Sequence, residues 1–251
     1  MGILLKSDDE VEKIYRAGQI LCEILDAVEA MVAPGVSTLD LDRKADELLA
    51  LRGARGAFKG YQGFPGVLCT SINDQVVHGI PSESAVLKEG DLISIDCGVI
   101  LDGYVADSAR TVPVGEVSGD AEVLLQVTRE ALFEGIGQCK AGARLGNIGA
   151  AIQRAVEPRG MSLVREYSGH GVGRSLHEDP TVPNRDRAGH GPKMRPGLVI
   201  AIEPMVNLGH YDCRTLDDAW TVVTADGSLS AHFEHTVAIT PKGPRVLTQR
   251  S

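Results

Sequence analysis

An internal repeat constrains this sequence more than any other feature. Gly35-Val36-Ser37-Thr38-Leu39-Asp40-Leu41 matches Gly142-Ala143-Arg144-Leu145-Gly146-Asn147-Ile148 in pattern, and residue 142 lies 107 positions after residue 35. Gly90 followed by Asp91-Leu92-Ile93-Ser94-Ile95-Asp96 matches Gly197 followed by Leu198-Val199-Ile200-Ala201-Ile202-Glu203, again 107 positions on. Two independent matches at one displacement imply a duplicated helix-helix-strand unit. The chain therefore reads as a single domain, 1–251, made of two pseudo-symmetric halves of about 1–115 and 116–251. Glu203 becomes the counterpart of Asp96.

Local patterns fill in the unit. Ser7-Asp8-Asp9-Glu10 before Val11, Ile14, Leu21, Ile24, Leu25 and Val28 predicts a capped amphipathic helix that ends before Pro34-Gly35. Ser37 or Thr38 caps a second helix. Helical spacing returns from Ala121 to about Cys139 and from Leu145 to Val156, where Pro158 stops it. Strand-like runs cover Val67–Ile72, Leu92–Ile95, Ala109–Val114, Leu198–Ile202, Trp220–Val223 and His232–Ile239. This mixture predicts an α+β fold. Gly98, Asp102 and Gly103 suit a hairpin reversal, with Gly103-Tyr104-Val105-Ala106 returning, so that Asp96 and Asp107 face each other across adjacent strands. The stretch from Gly53 to Gly66, carrying Phe58, Tyr61 and Phe64, reads as an irregular loop able to line a pocket.

Asp96 and Asp107 from the first half, and Glu203 and Glu234 from the second, lie on or at the ends of apolar runs containing no Lys or Arg to offset them. Four such carboxylates cannot share a core unpaired, because repulsion adds to the cost of desolvation. Divalent metal is the natural counter-charge, and two ions would balance four acids. His170, between glycines in Ser168-Gly169-His170-Gly171-Val172-Gly173, adds an imidazole; one nitrogen among oxygens favours Mn, Fe, Co or Zn. Such a pair would activate water and polarise a carbonyl, which is hydrolase chemistry. His78 and His177 can donate to a substrate carbonyl, whereas His190, His210 and His232 read as structural or exposed.

Lys and Arg number 25 against 34 Asp and Glu, a net charge of −9, which argues against a nucleic-acid or anionic-membrane surface. Five scattered cysteines without C-x-x-C spacing fit a reducing compartment. The N-terminus carries neither a signal peptide nor a membrane span. The expected location is the cytoplasm, and nothing points beyond a monomer.

Cys69-Thr70-Ser71-Ile72-Asn73 through His78-Gly79-Ile80-Pro81, Asp96 with Asp107, Ser168–Gly173 with His177-Glu178-Asp179-Pro180, Ile202-Glu203-Pro204, and Ser230-Ala231-His232-Phe233-Glu234-His235-Thr236 together resemble the type I methionine aminopeptidases. The likeness is to the bacterial kind, without an N-terminal extension, and spans nearly the whole chain. It implies a pita-bread fold, with a central antiparallel sheet and helices outside, and removal of initiator methionine from nascent polypeptide N-termini when the second residue is small. It further implies two divalent ions held by Asp96, Asp107, His170, Glu203 and Glu234, with Asp107 and Glu234 shared between the ions. By the same likeness His78 and His177 contact substrate and Glu203 accepts the proton of the attacking water. The methionine pocket falls on Phe58, Tyr61, Phe64, Cys69, Leu176 and Trp220. Phe64 and Leu176 depart from the tyrosine and phenylalanine common in bacterial members, which leaves pocket size open. Work on nascent chains implies transient proximity to the ribosome. Two alternatives stand beside this reading: a proline-directed peptidase of the same fold, and a binding module that has lost catalysis.

Overall fold

A computed structural model describes residues 2–250; Met1 and Ser251, the ends of the expected 1–251 domain, lie outside the described residues. Helix α1 (Asp8–Glu29) starts where Ser7 Oγ accepts the Glu10 N–H and the Glu10 carboxylate accepts the Ser7 N–H. This reciprocal box satisfies two otherwise orphaned donors. The buried positions of α1, among them Val11, Ile14, Leu21, Leu25 and Val28, recur at three-, four- and seven-residue spacing and make one apolar face. Helix α2 (Thr38–Leu51) begins with the same device, built from Ser37 and Asp40, so Ser37 rather than Thr38 is the cap. Helices α3 (Gly119–Ile136) and α4 (Gly146–Val156) follow, and Pro158 falls in a 3-10 turn just beyond α4.

Each helix pair covers its own core. Ile14, Leu21, Leu25, Leu41 and Leu49 from α1 and α2 are buried against Ile93, Ile95 and Val99. Leu124, Leu132, Ile148 and Ile152 from α3 and α4 are buried against Ile200 and Ile202. The main-chain bonding repeats as the sequence does. The Gly35 N–H donates to Leu87 O at 2.8 Å and the Gly142 N–H to Met194 O at 2.9 Å, while the Ser37–Val86 bridge recurs as Arg144–Lys193. All these pairs are 107 residues apart, and they include positions outside the two sequence matches.

The strands pair antiparallel. Leu92–Leu101 and Tyr104–Pro113 form one long hairpin, closed by Asp102 and Gly103 at φ 51° and 81°, the left-handed pair that a tight two-residue turn requires. The expected strand from Ala109 is continuous with the returning one. Gly98 belongs to the strand rather than to the turn. A Cβ there would come within 2.8 Å of Ala57 Cβ and 2.9 Å of the Phe58 ring, so its glycine lets the 57–58 segment lie over the sheet.

In the second half, five strands run in the order 243–246, 235–240, 199–202, 169–171, 178–182. The expected run His232–Ile239 is broken. Ser230–His232 pairs with Met205–Asn207 and His235–Thr240 with Val199–Ile202, which leaves Phe233-Glu234 at the break.

The halves meet where Tyr104–Pro113 runs beside residues 232–236, and hydroxyls stitch the contact. The Asp107 N–H donates to Thr236 Oγ1 at 2.9 Å, and that hydroxyl donates back to Asp107 O at 2.8 Å. Ser108 Oγ donates to Glu234 O at 2.6 Å and the Glu234 N–H to Ala109 O at 3.0 Å. Thr111 Oγ1 accepts from the His232 N–H and donates to His232 O, both at 2.8 Å. No helix of the described residues is long and apolar enough to cross a membrane, and all five cysteines are free.

Candidate active site

The seam brings the acids together. In the first hairpin Asp96 pairs with Ala109 and Gly98 with Asp107, so the two aspartates are diagonal neighbours on one face. In the second half Ile202 pairs with His235, and one further step of that register sets Glu203 opposite Glu234. His170, on the adjacent Gly169–Gly171 strand, points its Nε2 at Glu203 Oε1, 3.5 Å away, and at Asp107 Oδ2, 3.9 Å away. Its Nδ1 lies 2.9 Å from Gly171 O. A carbonyl can only accept, so Nδ1 carries the hydrogen and Nε2 turns a lone pair toward the acids.

No Lys or Arg among the described residues pairs with these acids. Asp96 Oδ1, Asp107 Oδ1 and Glu234 Oε1 are buried without a hydrogen-bond partner. Among the described residues, the ion-pair neighbours of these acids are histidines only. Burial pushes the Asp96 carboxyl up to about 7. Burial first, then the charge of neighbouring acids, raises Asp107, Glu203 and Glu234 well above the carboxylate range. The imidazoles go the other way. Burial, then the nearby His177, lowers His170 and His78 to about 4, and burial, then His78, takes His232 to about 3. The histidines therefore supply no positive charge near neutral pH.

Four carboxylates and one imidazole lone pair make a donor set for a divalent ion of the first transition row. Its tightest part is Asp107, His170 and Glu234, whose ligand atoms lie within 4.8 Å of one another. Asp96 and Glu203 stand beside this group.

Above the acids lies a cavity of about 230 Å³. The six residues expected to form a pocket, Phe58, Tyr61, Phe64, Cys69, Leu176 and Trp220, all line it, as do His78 and His177. Phe64 and Trp220 meet edge to face at 5.1 Å between centroids. Tyr61 Oη lies 2.8 Å from His177 Nδ1, and the His177 ring stacks edgewise on His170 at 4.3 Å. His78 sits at φ 60°, a left-handed conformation unusual for a side chain of its size. Its neighbour Gly79 fixes it: the Thr70 N–H donates to Gly79 O, and a Cβ on Gly79 would meet Thr70 O at 2.1 Å.

Sequence reasoning missed part of the wall. Tyr167, Met205 and His232 also line the cavity. His232, grouped above with His190 and His210, is buried with its Nε2 unpartnered and 3.8 Å from Glu203 Oε2, whereas those two histidines are exposed. Its place two residues before Glu234 was the available signal. A larger open groove of about 1060 Å³ between α3 and α4 contains none of these groups.

Comparison with known proteins agrees with this geometry. The family model of "Metallopeptidase family M24" matches residues 12–241. A methionine aminopeptidase of Clostridium perfringens is 52% identical over 246 residues, covering 98% of both chains. The crystal structure of methionine aminopeptidase from Thermotoga maritima superposes with a TM-score of 0.98 at 42% identity, over 99% of this chain and 100% of that one. The prolidase of Pyrococcus horikoshii, 23% identical, has a TM-score of 0.80 and is spanned over 64% of its length, a likeness of fold alone. Helices outside antiparallel sheets, in two repeated halves, are the pita-bread arrangement shared by these proteins. The chain belongs to metallopeptidase family M24, in its type I methionine aminopeptidase branch.

Proposed function

We propose that this enzyme removes the initiator methionine from nascent polypeptides whose second residue is small. The observation that carries the reading is the set of unpartnered carboxylate oxygens and the His170 lone pair at the floor of an aromatic-walled cavity of about 230 Å³. Asp96, Asp107, His170, Glu203 and Glu234 would hold two divalent ions, of Mn, Fe, Co or Zn. Bound there, the ions supply Lewis acidity, polarising the peptide carbonyl and acidifying water.

The chain's own residues do the rest. Phe58, Tyr61, Phe64, Cys69, Leu176 and Trp220 take the methionine side chain out of water, a burial that stabilises the complex by roughly 1.5–3 kcal/mol. His78 and His177, neutral because burial lowers both, present N–H groups to the carbonyl of the scissile bond without adding charge. Glu203 accepts a proton from the attacking water as its oxygen joins the carbonyl carbon. The same proton is then delivered to the leaving amine nitrogen as the C–N bond breaks. Halves of about 1–115 and 116–251 form a single catalytic unit, because the acids come from both. We place the enzyme in the cytoplasm, as a monomer that meets its substrates near the ribosome, with no membrane or specific nucleic-acid partner.

The test is methionine release from Met-Gly and Met-Ala peptides by the purified protein across a series of divalent metals. Release expected with Mn²⁺ or Co²⁺, and absent from x-Pro peptides, supports the reading. Cleavage of x-Pro peptides instead would make it a proline-directed enzyme. Absence of metal after dialysis, unaltered in Asp107→Asn, would make it a binding module.

A further inference from the structure

We propose that a buried ion pair between Lys6 and Glu178 positions His177, so that the N-terminal arm preceding α1 is part of the substrate site. The inference rests on the reading of His177 as a substrate contact.

Lys6 and Glu178 are in direct contact, with side chains only 1% and 6% exposed. The arm is set in place by the Lys6 N–H, which donates to Gly197 O at 2.7 Å. Glu178 uses both carboxylate oxygens. One takes the Lys6 ammonium, and Oε1 accepts the Arg174 N–H at 2.7 Å and the Ser175 N–H at 3.0 Å. The carboxylate thus closes the loop 174–178 upon itself, while Lys6 holds the carboxylate. The lysine stem also covers the residue before the loop: a Cβ on Gly173 would lie 2.5 Å from Lys6 Cε. Further ties run to α1 and the hairpin, through Arg174 to Glu10 at 2.6 and 2.8 Å and through the Val105 N–H to Gly173 O at 2.6 Å, and Glu178 itself pairs with Gly171 at the start of its strand.

His177 precedes Glu178 and lines the reaction cavity, where its ring meets Tyr61 and His170. A buried ion pair is a poor source of net stability, since desolvation offsets most of the attraction. Its removal by halves is different: without Lys6 a lone carboxylate is left buried, and hydrating it requires the loop to open. His177 would move with it. Misplacing a reacting group by about 1 Å costs ~100-fold in rate, and a partly populated open loop should cost less.

The experiment uses the full metal-loaded chain and a Met-Ala-Ser peptide. Lys6→Met should lower kcat about tenfold with KM changed by less than about twofold, and Lys6→Arg should restore most of the loss. The neutral pair Lys6→Met/Glu178→Gln leaves no buried charge to hydrate and keeps an acceptor for the Arg174 and Ser175 N–H groups, so it should recover most of the lost kcat, which separates loop opening from mere loss of the lysine. In a His177→Ala background Lys6→Met should cost nothing further. In the metal-free protein, hydrogen exchange of residues 173–178 should quicken in Lys6→Met while that of α3 and α4 does not. An equal loss of kcat in the His177→Ala background, or unaltered exchange of 173–178, would overturn the proposal. Should His177→Ala itself retain full kcat, the assigned role of His177 fails, and the exchange result still decides whether Lys6 holds the loop.

Discussion

Removing divalent metal and raising the pH from 7.5 to 8.5 should lower the melting temperature of this protein. An acid whose pKa is raised by folding keeps a proton that the unfolded chain has released, so stability falls as pH rises from the ordinary value toward the raised one. Asp96 contributes this loss up to about 7, and Asp107, Glu203 and Glu234 continue it higher. The buried histidines have the opposite sign. His78 and His170 at about 4 and His232 at about 3 lie below their ordinary 6.5, so their contribution grows as pH rises and levels off about one unit above 6.5. The two sets oppose each other until the unfolded histidines have lost their protons, and from about pH 7.5 the acids act alone. One proton retained across the interval gives about 1.4 kcal/mol per pH unit. At roughly 2–4 °C per kcal/mol for a chain of this length, Tm should fall by about 3–6 °C, and two retained protons would double that. With metal bound the acids are ionised in the fold and the decline should vanish, while a hundredfold excess of metal over Kd adds about 2.7 kcal/mol. Calorimetry with and without chelator measures both. A metal-free Tm that stays level or rises between pH 7.5 and 8.5 would refute the argument, because the acids would then be ionised without a cation.

Asp107→Asn should lower metal content after dialysis and reduce peptide turnover by more than the ~100-fold upper range seen for outer-shell partners, measured by elemental analysis and methionine release. Trp220→Ala removes the ring that meets Phe64 and lines the cavity, and should raise KM about tenfold with a smaller change in kcat. Thr236→Val leaves the buried Asp107 N–H without its acceptor and should destabilise the protein by about 1–3 kcal/mol in chemical denaturation.

Helices were legible in the sequence because their signals are local. Capping boxes at Ser7 and Ser37 and a 3.6-residue period require nothing from the rest of the chain. The acids of the proposed metal site were legible for a different reason: a carboxylate ending an apolar run needs a partner, and the repeat tied Asp96 to Glu203. What escaped depends on contacts distant in sequence. Gly98 looks like a turn residue until Ala57 and Phe58 are laid over it. Met205–Asn207 and Cys213–Thr215 are three-residue strands, too short to show alternation, and exist through their pairing. His232 differs from His190 and His210 in where the chain buries it, and in sequence only by standing two residues before Glu234. The break at Phe233-Glu234 was hidden within one apolar run, though it brings Glu234 to the site.

That break connects fold to chemistry. Where two halves carrying converging acids meet, a Lys or Arg at the seam would relieve the repulsion, and would also occupy the place of a metal. The contact is instead made by Ser108, Thr111 and Thr236, neutral hydroxyls bonded to main-chain groups across it. Such bonds hold Asp107 and Glu234 in register without neutralising them. The unmet charge is left for a divalent ion, and of the ligands proposed for it Asp96 and Asp107 belong to one half and His170, Glu203 and Glu234 to the other. Metal binding and the joining of the halves then draw on one interaction. A substitution that loosens the seam without touching a carboxylate, such as Thr236→Val, should therefore weaken metal affinity as well as stability, and titration of metal into that variant distinguishes this coupling from a purely structural role.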